Sequence, residues 1–139
     1  MQFLLDTNIF LDAMEKDPDP SLVAWLHEIT EEDVFISVLT IADLENHLRL
    51  SSHPESQQLR RWVREDFIAR FGRRVLPIGR RIVEVYADIV SRSEVLCRPV
   101  EFREALIAAT AEVHRLALVT CTPGIYERLI PNVIAPSGR

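Results

Sequence analysis

The chain has 139 residues, 47% hydrophobic and 27% charged, with 16 lysines and arginines against 21 acids, the size and composition of one soluble domain that can bury its own core. A net charge of −5 argues against non-specific coating of nucleic acid. No apolar run reaches the roughly 20 residues of a membrane helix, and Asp6 falls where a signal peptide needs its apolar stretch. Cys97 and Cys121 lie far apart without CxxC spacing, which excludes a disulfide framework and a zinc knuckle and predicts buried free thiols in a cytoplasmic protein.

In chain order, residues 2–5 (QFLL) predict a short strand, followed by Asp6-Thr7-Asn8, polar residues suited to capping a helix. Pro20 and Ser21 open a second helix, with Leu22, Val23, Leu26 and Ile29 at near-helical spacing. Residues 34–38 (VFISV) read as a strand. The helix over 40–50 carries Ile41, Leu44 and Leu48 on one stripe and Thr40, Asp43 and His47 on the next. One amphipathic helix over 55–71 follows, then a strand at 74–78 and a helix at 80–93. Residues 101–115 are apolar from Ala105 to Ala111 and predict a buried central helix, with two last strands at 116–120 and 132–136. Short strands, apolar on both faces and alternating with helices, indicate a single α/β domain over 1–139 with a central parallel sheet flanked by helices. The apolar faces of 22–29 and 40–63 offer a surface for dimerisation.

Open α/β sheets hold ligands beyond the carboxyl ends of their strands. Asp6 follows the first strand, Asp43 lies on the helix after the second, and Glu104 opens the helix before the fourth. Carboxylates brought together without a compensating cation favour a hard divalent ion such as Mg²⁺ or Mn²⁺. Each acid also has a plainer reading: Asp6 as a helix cap, Asp43 as a solvated helix residue, and Glu104 as a first-turn acid favoured by the helix dipole. Residues 60–81 hold eight arginines and two acids, a basic strip in which Arg73, Arg74 and Arg80 are candidate RNA phosphate contacts or simply solvated and paired.

Taken together, LLDTN at 4–8, SVLTIADL at 37–44, RVLP at 74–77, RPVEFREALIAATA at 98–111 and LVT at 118–120 resemble the PIN domain of VapC-type toxins over nearly the whole chain. The resemblance implies a metal-dependent endoribonuclease using Mg²⁺ or Mn²⁺, the dimeric toxin of a type II toxin–antitoxin module, neutralised by a VapB-type antitoxin. It makes Asp6, Asp43 and Glu104 the catalytic acids, with Asp6 and Glu104 on the metal, while Asn8, Thr120 and Thr122 position substrate or water, or more plainly cap a helix (Asn8) and satisfy strand-end backbone groups (Thr120 and Thr122). Asp43 stands where the family usually has glutamate, and Glu104 where it usually has aspartate. In TCTPGIY, Thr122 replaces an asparagine, Ile125 the fourth acid and Tyr126 a phenylalanine. The missing acid leaves a second reading open, a catalytically degenerate PIN domain that binds RNA or protein.

Other α/β chemistries do not fit. Haloacid-dehalogenase phosphatases want an aspartate where Asn8 stands and a downstream lysine, whereas Lys16 is the only lysine. The glycines form no phosphate-binding loop and there is no GxSxG elbow.

Overall fold

The computed structural model describes residues 1–136. Its strands are β1 (Phe3–Leu5), β2 (Val34–Ser37), β3 (Val75–Leu76), β4 (Ala117–Val119) and β5 (Val133–Ile134), shorter than the apolar runs but in the same places. They form one sheet in the order β3-β2-β1-β4-β5, and every pairing is parallel. Leu4 of β1 lies between Phe35 of β2 and Leu118 of β4.

The connecting helices are α1 (Thr7–Ala13), α2 (Pro20–Glu28), α3 (Val38–Leu50), α4 (Ser56–Trp62), α5 (Ile68–Phe71), α6 (Arg80–Val95), α7 (Phe102–His114) and α8 (Pro123–Tyr126). Side-chain alternation sends each strand's residues to two cores. Leu4 and Leu118 face α6 and α7, while Leu5, Ile36 and Val119 face α1, α2, α3 and the helical run after it. The sheet is therefore apolar on both faces and covered on both, as the sequence indicates. In α7, every residue from Ala105 to Ala111 is buried, and its small alanines let the helix lie close against the strands.

Four local expectations change. Helix α3 starts at Val38, ahead of the expected Thr40, because the Ser37 hydroxyl accepts the Leu39 N–H at 3.1 Å and caps the earlier turn. The helix expected over 55–71 is helical but not uniform: a π turn at Val63–Phe67 separates α4 from α5. It ends at Gly72, whose φ of 53° and ψ of −119° suit glycine alone. The apolar faces over 22–29 and 40–63 mostly turn inward, since Leu22, Leu44, Leu48 and Val63 are buried, leaving Leu50 and Trp62 exposed. Cys97 is exposed and Cys121 half-buried, so the expected burial of the thiols is not found. No helix among the described residues is long and apolar enough to cross a membrane.

Ile107 is fully buried where α7 meets the sheet. Ile107→Ala is expected to lower the unfolding free energy by about 2–5 kcal/mol in urea titrations; a loss below about 1 kcal/mol would contradict this packing.

Candidate active site

The chain runs from β1 outward through β2 to β3, then returns to place β4 on the other side of β1. This reversal opens a crevice at the carboxyl ends of β1 and β4, where parallel sheets bind ligands. Asp6 enters it directly: its backbone N–H donates to the Val119 carbonyl at 2.9 Å, continuing the β1–β4 ladder. Asp6 is 2% exposed, so its hydrogen bonds must come from the protein. The Thr7 N–H donates to Oδ1 at 2.8 Å and the Thr120 hydroxyl to Oδ2 at 2.9 Å. Asp6 thus caps α1 and presents a carboxylate to the crevice; the plain reading and the functional one describe the same geometry.

Asp43 approaches from α3. Its Oδ2 accepts the Thr7 hydroxyl at 2.8 Å, and Thr7 Oγ1 lies 3.2 Å from the buried Thr40 hydroxyl. Glu104, in the first turn of α7, lines the same cleft as Asp6, Asp43, His47 and Ile125. The three acids expected to converge do share one cleft. Among the described residues, however, no three of His, Cys, Asp and Glu are gathered closely enough to hold a metal ion.

Sequence reasoning missed the group that joins two of the acids. Arg103 Nη2 donates to Asp6 Oδ1 at 3.0 Å and to Thr7 Oγ1 at 2.6 Å, and its Nε donates to Asp43 Oδ2 at 2.5 Å. The premise of a cluster without a compensating cation is therefore corrected: the chain supplies a guanidinium. Burial opposes the Arg103 charge, but Asp6 and Asp43 outweigh it and hold the side chain well above its ordinary pKa. One signal was available. A cation in the first turn of a helix meets the positive end of the dipole, so an arginine there calls for an anion. Burial, reinforced by the Asp6 charge, likewise pushes the Tyr126 phenol above its ordinary range.

The remaining candidates have definite places. Asn8 Nδ2 donates toward the Thr120 and Thr122 hydroxyls, both at 3.2 Å, and its Oδ1 accepts the Cys121 N–H at 3.1 Å. It pins the segment leaving β4. Thr120 is fully buried behind Asp6, whereas Thr122 lines the cleft. Ile125 puts an apolar side chain into the cleft where the resemblance placed an acid, and exposed Glu127 is not part of its lining. None of Arg73, Arg74 and Arg80 lines it either. Arg74 donates to the carbonyls of Glu31, Val34 and Arg70 at 2.6, 2.8 and 3.0 Å and stacks over Phe71, tying down the end of the sheet opposite the cleft. Arg80 is exposed and paired with Glu84 at 3.1 Å, and Arg73 is exposed.

A profile of the PIN domain family matches residues 3–127, and the chain belongs to that family. Among similar proteins, toxin FitB of Neisseria gonorrhoeae is 29% identical over 124 residues, 88% of this chain and 89% of that one. VapC ribonuclease Y4jK of Sinorhizobium fredii is 24% identical over 136 residues, 96% of each chain. The crystal structure of FitAcB from Neisseria gonorrhoeae matches with a TM-score of 0.91 at 28% identity, over 97% of this chain and 98% of that one. DNA-bound VapBC from Salmonella typhimurium shares the fold, with a TM-score of 0.77 at 23% identity over 96% of this chain and 95% of that one.

Thr120→Val removes the hydroxyl that donates to Asp6 while keeping the shape of the side chain. The expected loss is about 1–3 kcal/mol of unfolding free energy, with Thr120→Ser close to wild type; equal stability of the valine variant in chemical denaturation would contradict this role.

Proposed function

We propose that the protein is the toxin of a toxin–antitoxin pair, an endoribonuclease that cuts phosphodiester bonds in the cleft between β1, α3 and α7 and is neutralised by an antitoxin. The observation that carries this reading is the meeting of Asp6, Asp43 and Glu104 in one open cleft at the sheet's reversal point. The relatives support it: one is named a toxin and another a VapC ribonuclease. Cytoplasmic action on RNA as a homodimer belongs to the same proposal.

The donor set suits Mg²⁺ or Mn²⁺ by type, since all three acids offer hard oxygens and Mg²⁺ is commonly held by one or two carboxylates with water completing its shell. Asp6 and Asp43 already enclose a cation, the Arg103 guanidinium, which stands in for one there. We assign Asp6 and Glu104 to hold the ion, with Asp43 assisting and water completing its shell; when bound it would polarise a phosphate oxygen and acidify a water. The chain's own residues do the positioning. Thr7 N–H and Thr120 fix the Asp6 carboxylate, leaving it no freedom to turn from the cleft. Asn8 holds Thr122 at the rim, where its hydroxyl is placed to hydrogen-bond phosphate or water. Ile125 supplies no charge on its side, so fewer acids surround the scissile phosphate than the resemblance would give.

Two observations favour a second reading, a degenerate PIN domain that binds RNA or protein without cutting: the guanidinium between Asp6 and Asp43, and Ile125 in place of an acid. Cleavage of a mixed structured RNA by the purified, antitoxin-free protein separates the two. Cutting in Mg²⁺ or Mn²⁺ that stops in EDTA is expected, with Asp6→Asn and Glu104→Gln each lowering the rate by about a hundredfold or more. Full activity of Asp6→Asn would contradict the site, and RNA binding without cutting in any metal would favour the second reading.

A further inference from the structure

Arg103 does more than neutralise two acids. Oδ1 of Asp6 accepts both the Thr7 N–H, at 2.8 Å, and Arg103 Nη2, at 3.0 Å. Oδ2 of Asp43 accepts both the Thr7 hydroxyl, at 2.8 Å, and Arg103 Nε, at 2.5 Å. A carboxylate oxygen has two lone pairs, so the oxygens that face the guanidinium have none left for another cation. The arginine is also the one partner able to leave. The Thr7 N–H is fixed by the cap of α1, and the Thr7 hydroxyl belongs to a buried residue. The Arg103 side chain, by contrast, is 33% exposed at the mouth of the cleft, on a long rotatable stem whose head can reach water.

We propose that Arg103 is a built-in competitor for the cation site: a divalent ion binds through Asp6 Oδ1 and Asp43 Oδ2, the two oxygens that the guanidinium bridges, only when the Arg103 side chain has swung out. This inference rests on the nuclease reading above and adds a control to it. The apparent metal affinity is reduced by the fraction of molecules in which the arginine is out, and a phosphate group, which pairs well with guanidinium, stabilises the swung-out side chain. Metal and RNA would then load the site together, with the arginine passing from the acids to the nucleic-acid backbone.

Mn²⁺ alone is the probe, titrated by calorimetry and by the electron paramagnetic resonance of the free ion into the full chain, into Arg103→Gln and, to define the site, into Asp6→Asn. Arg103→Gln is expected to bind Mn²⁺ about tenfold or more tightly than wild type and to gain more melting temperature on Mn²⁺ addition, while Asp6→Asn binds none at this site. Equal affinity of wild type and Arg103→Gln at a site that Asp6→Asn abolishes would overturn the competition and leave the nuclease reading intact. Absence of Mn²⁺ binding in both proteins, together with absence of RNA cleavage, would overturn that reading and the competition with it. Wild-type protein offers a readout independent of how the variant folds. In nitrogen-15 spectra, the Arg103 Nε–H signal is expected to move toward a solvent-exchanging position as Mg²⁺ saturates the protein; an unmoved signal at saturation would overturn the proposal.

Discussion

A carboxylate buried at the end of a parallel strand has to be answered from within the protein, and the groups that answer Asp6 set the geometry of the whole cleft. The N–H of Thr7 begins α1, the hydroxyl of Thr120 directly follows β4, and the guanidinium of Arg103 reaches over from α7. The same guanidinium holds Asp43 of α3. Four elements from distant parts of the chain are thereby referred to one charge. Because the ion pair is partly buried, losing one partner costs more than losing both, since the survivor keeps its desolvation without its compensation.

The fold prepares the place for this charge. Parallel pairing of β1 with both β2 and β4 brings two strand ends side by side at the point where the chain reverses. The alternation of Leu4 with Leu5, and of Leu118 with Val119, secures β1 and β4 to the cores on either face. Helix α7 carries the two requirements in one segment. Its buried alanines press it against the sheet, and its first turn delivers Arg103 and Glu104 to the cleft mouth. At the opposite end of the sheet, Arg74 gathers three backbone carbonyls. Much of the basic strip between residues 60 and 81 is engaged in such internal pairing: Arg70 grips Glu31, and Arg60 and Arg64 flank Glu45.

Much of this was legible in the sequence because it follows from pattern. Short apolar runs and near-helical spacing locate the strands and helices, and the carboxyl-end rule places Asp6, Asp43 and Glu104 at one edge. What was not legible depends on side-chain reach. An arginine can bridge anions on separate elements, and nothing in residue spacing states where its guanidinium will end. The assumption that the acids lacked a counter-cation failed for that reason. Arg74 is the converse case: it belongs to a basic run, yet its donors are consumed by carbonyls whose positions only the folded chain defines. The role of Asn8 was likewise hidden. It sits in a helix-start motif, yet it clamps the segment after β4, a contact across 113 positions of sequence.

The most direct test of the Asp6–Arg103 pair as the organising interaction is a double-mutant cycle on unfolding free energy, with Asp6→Asn, Arg103→Gln and the two combined. The account predicts a coupling of about 1–3 kcal/mol, the double variant being less destabilised than the sum of the single ones. Additivity within about 0.3–0.5 kcal/mol would contradict it, showing that the carboxylate and the guanidinium are held in place independently of each other.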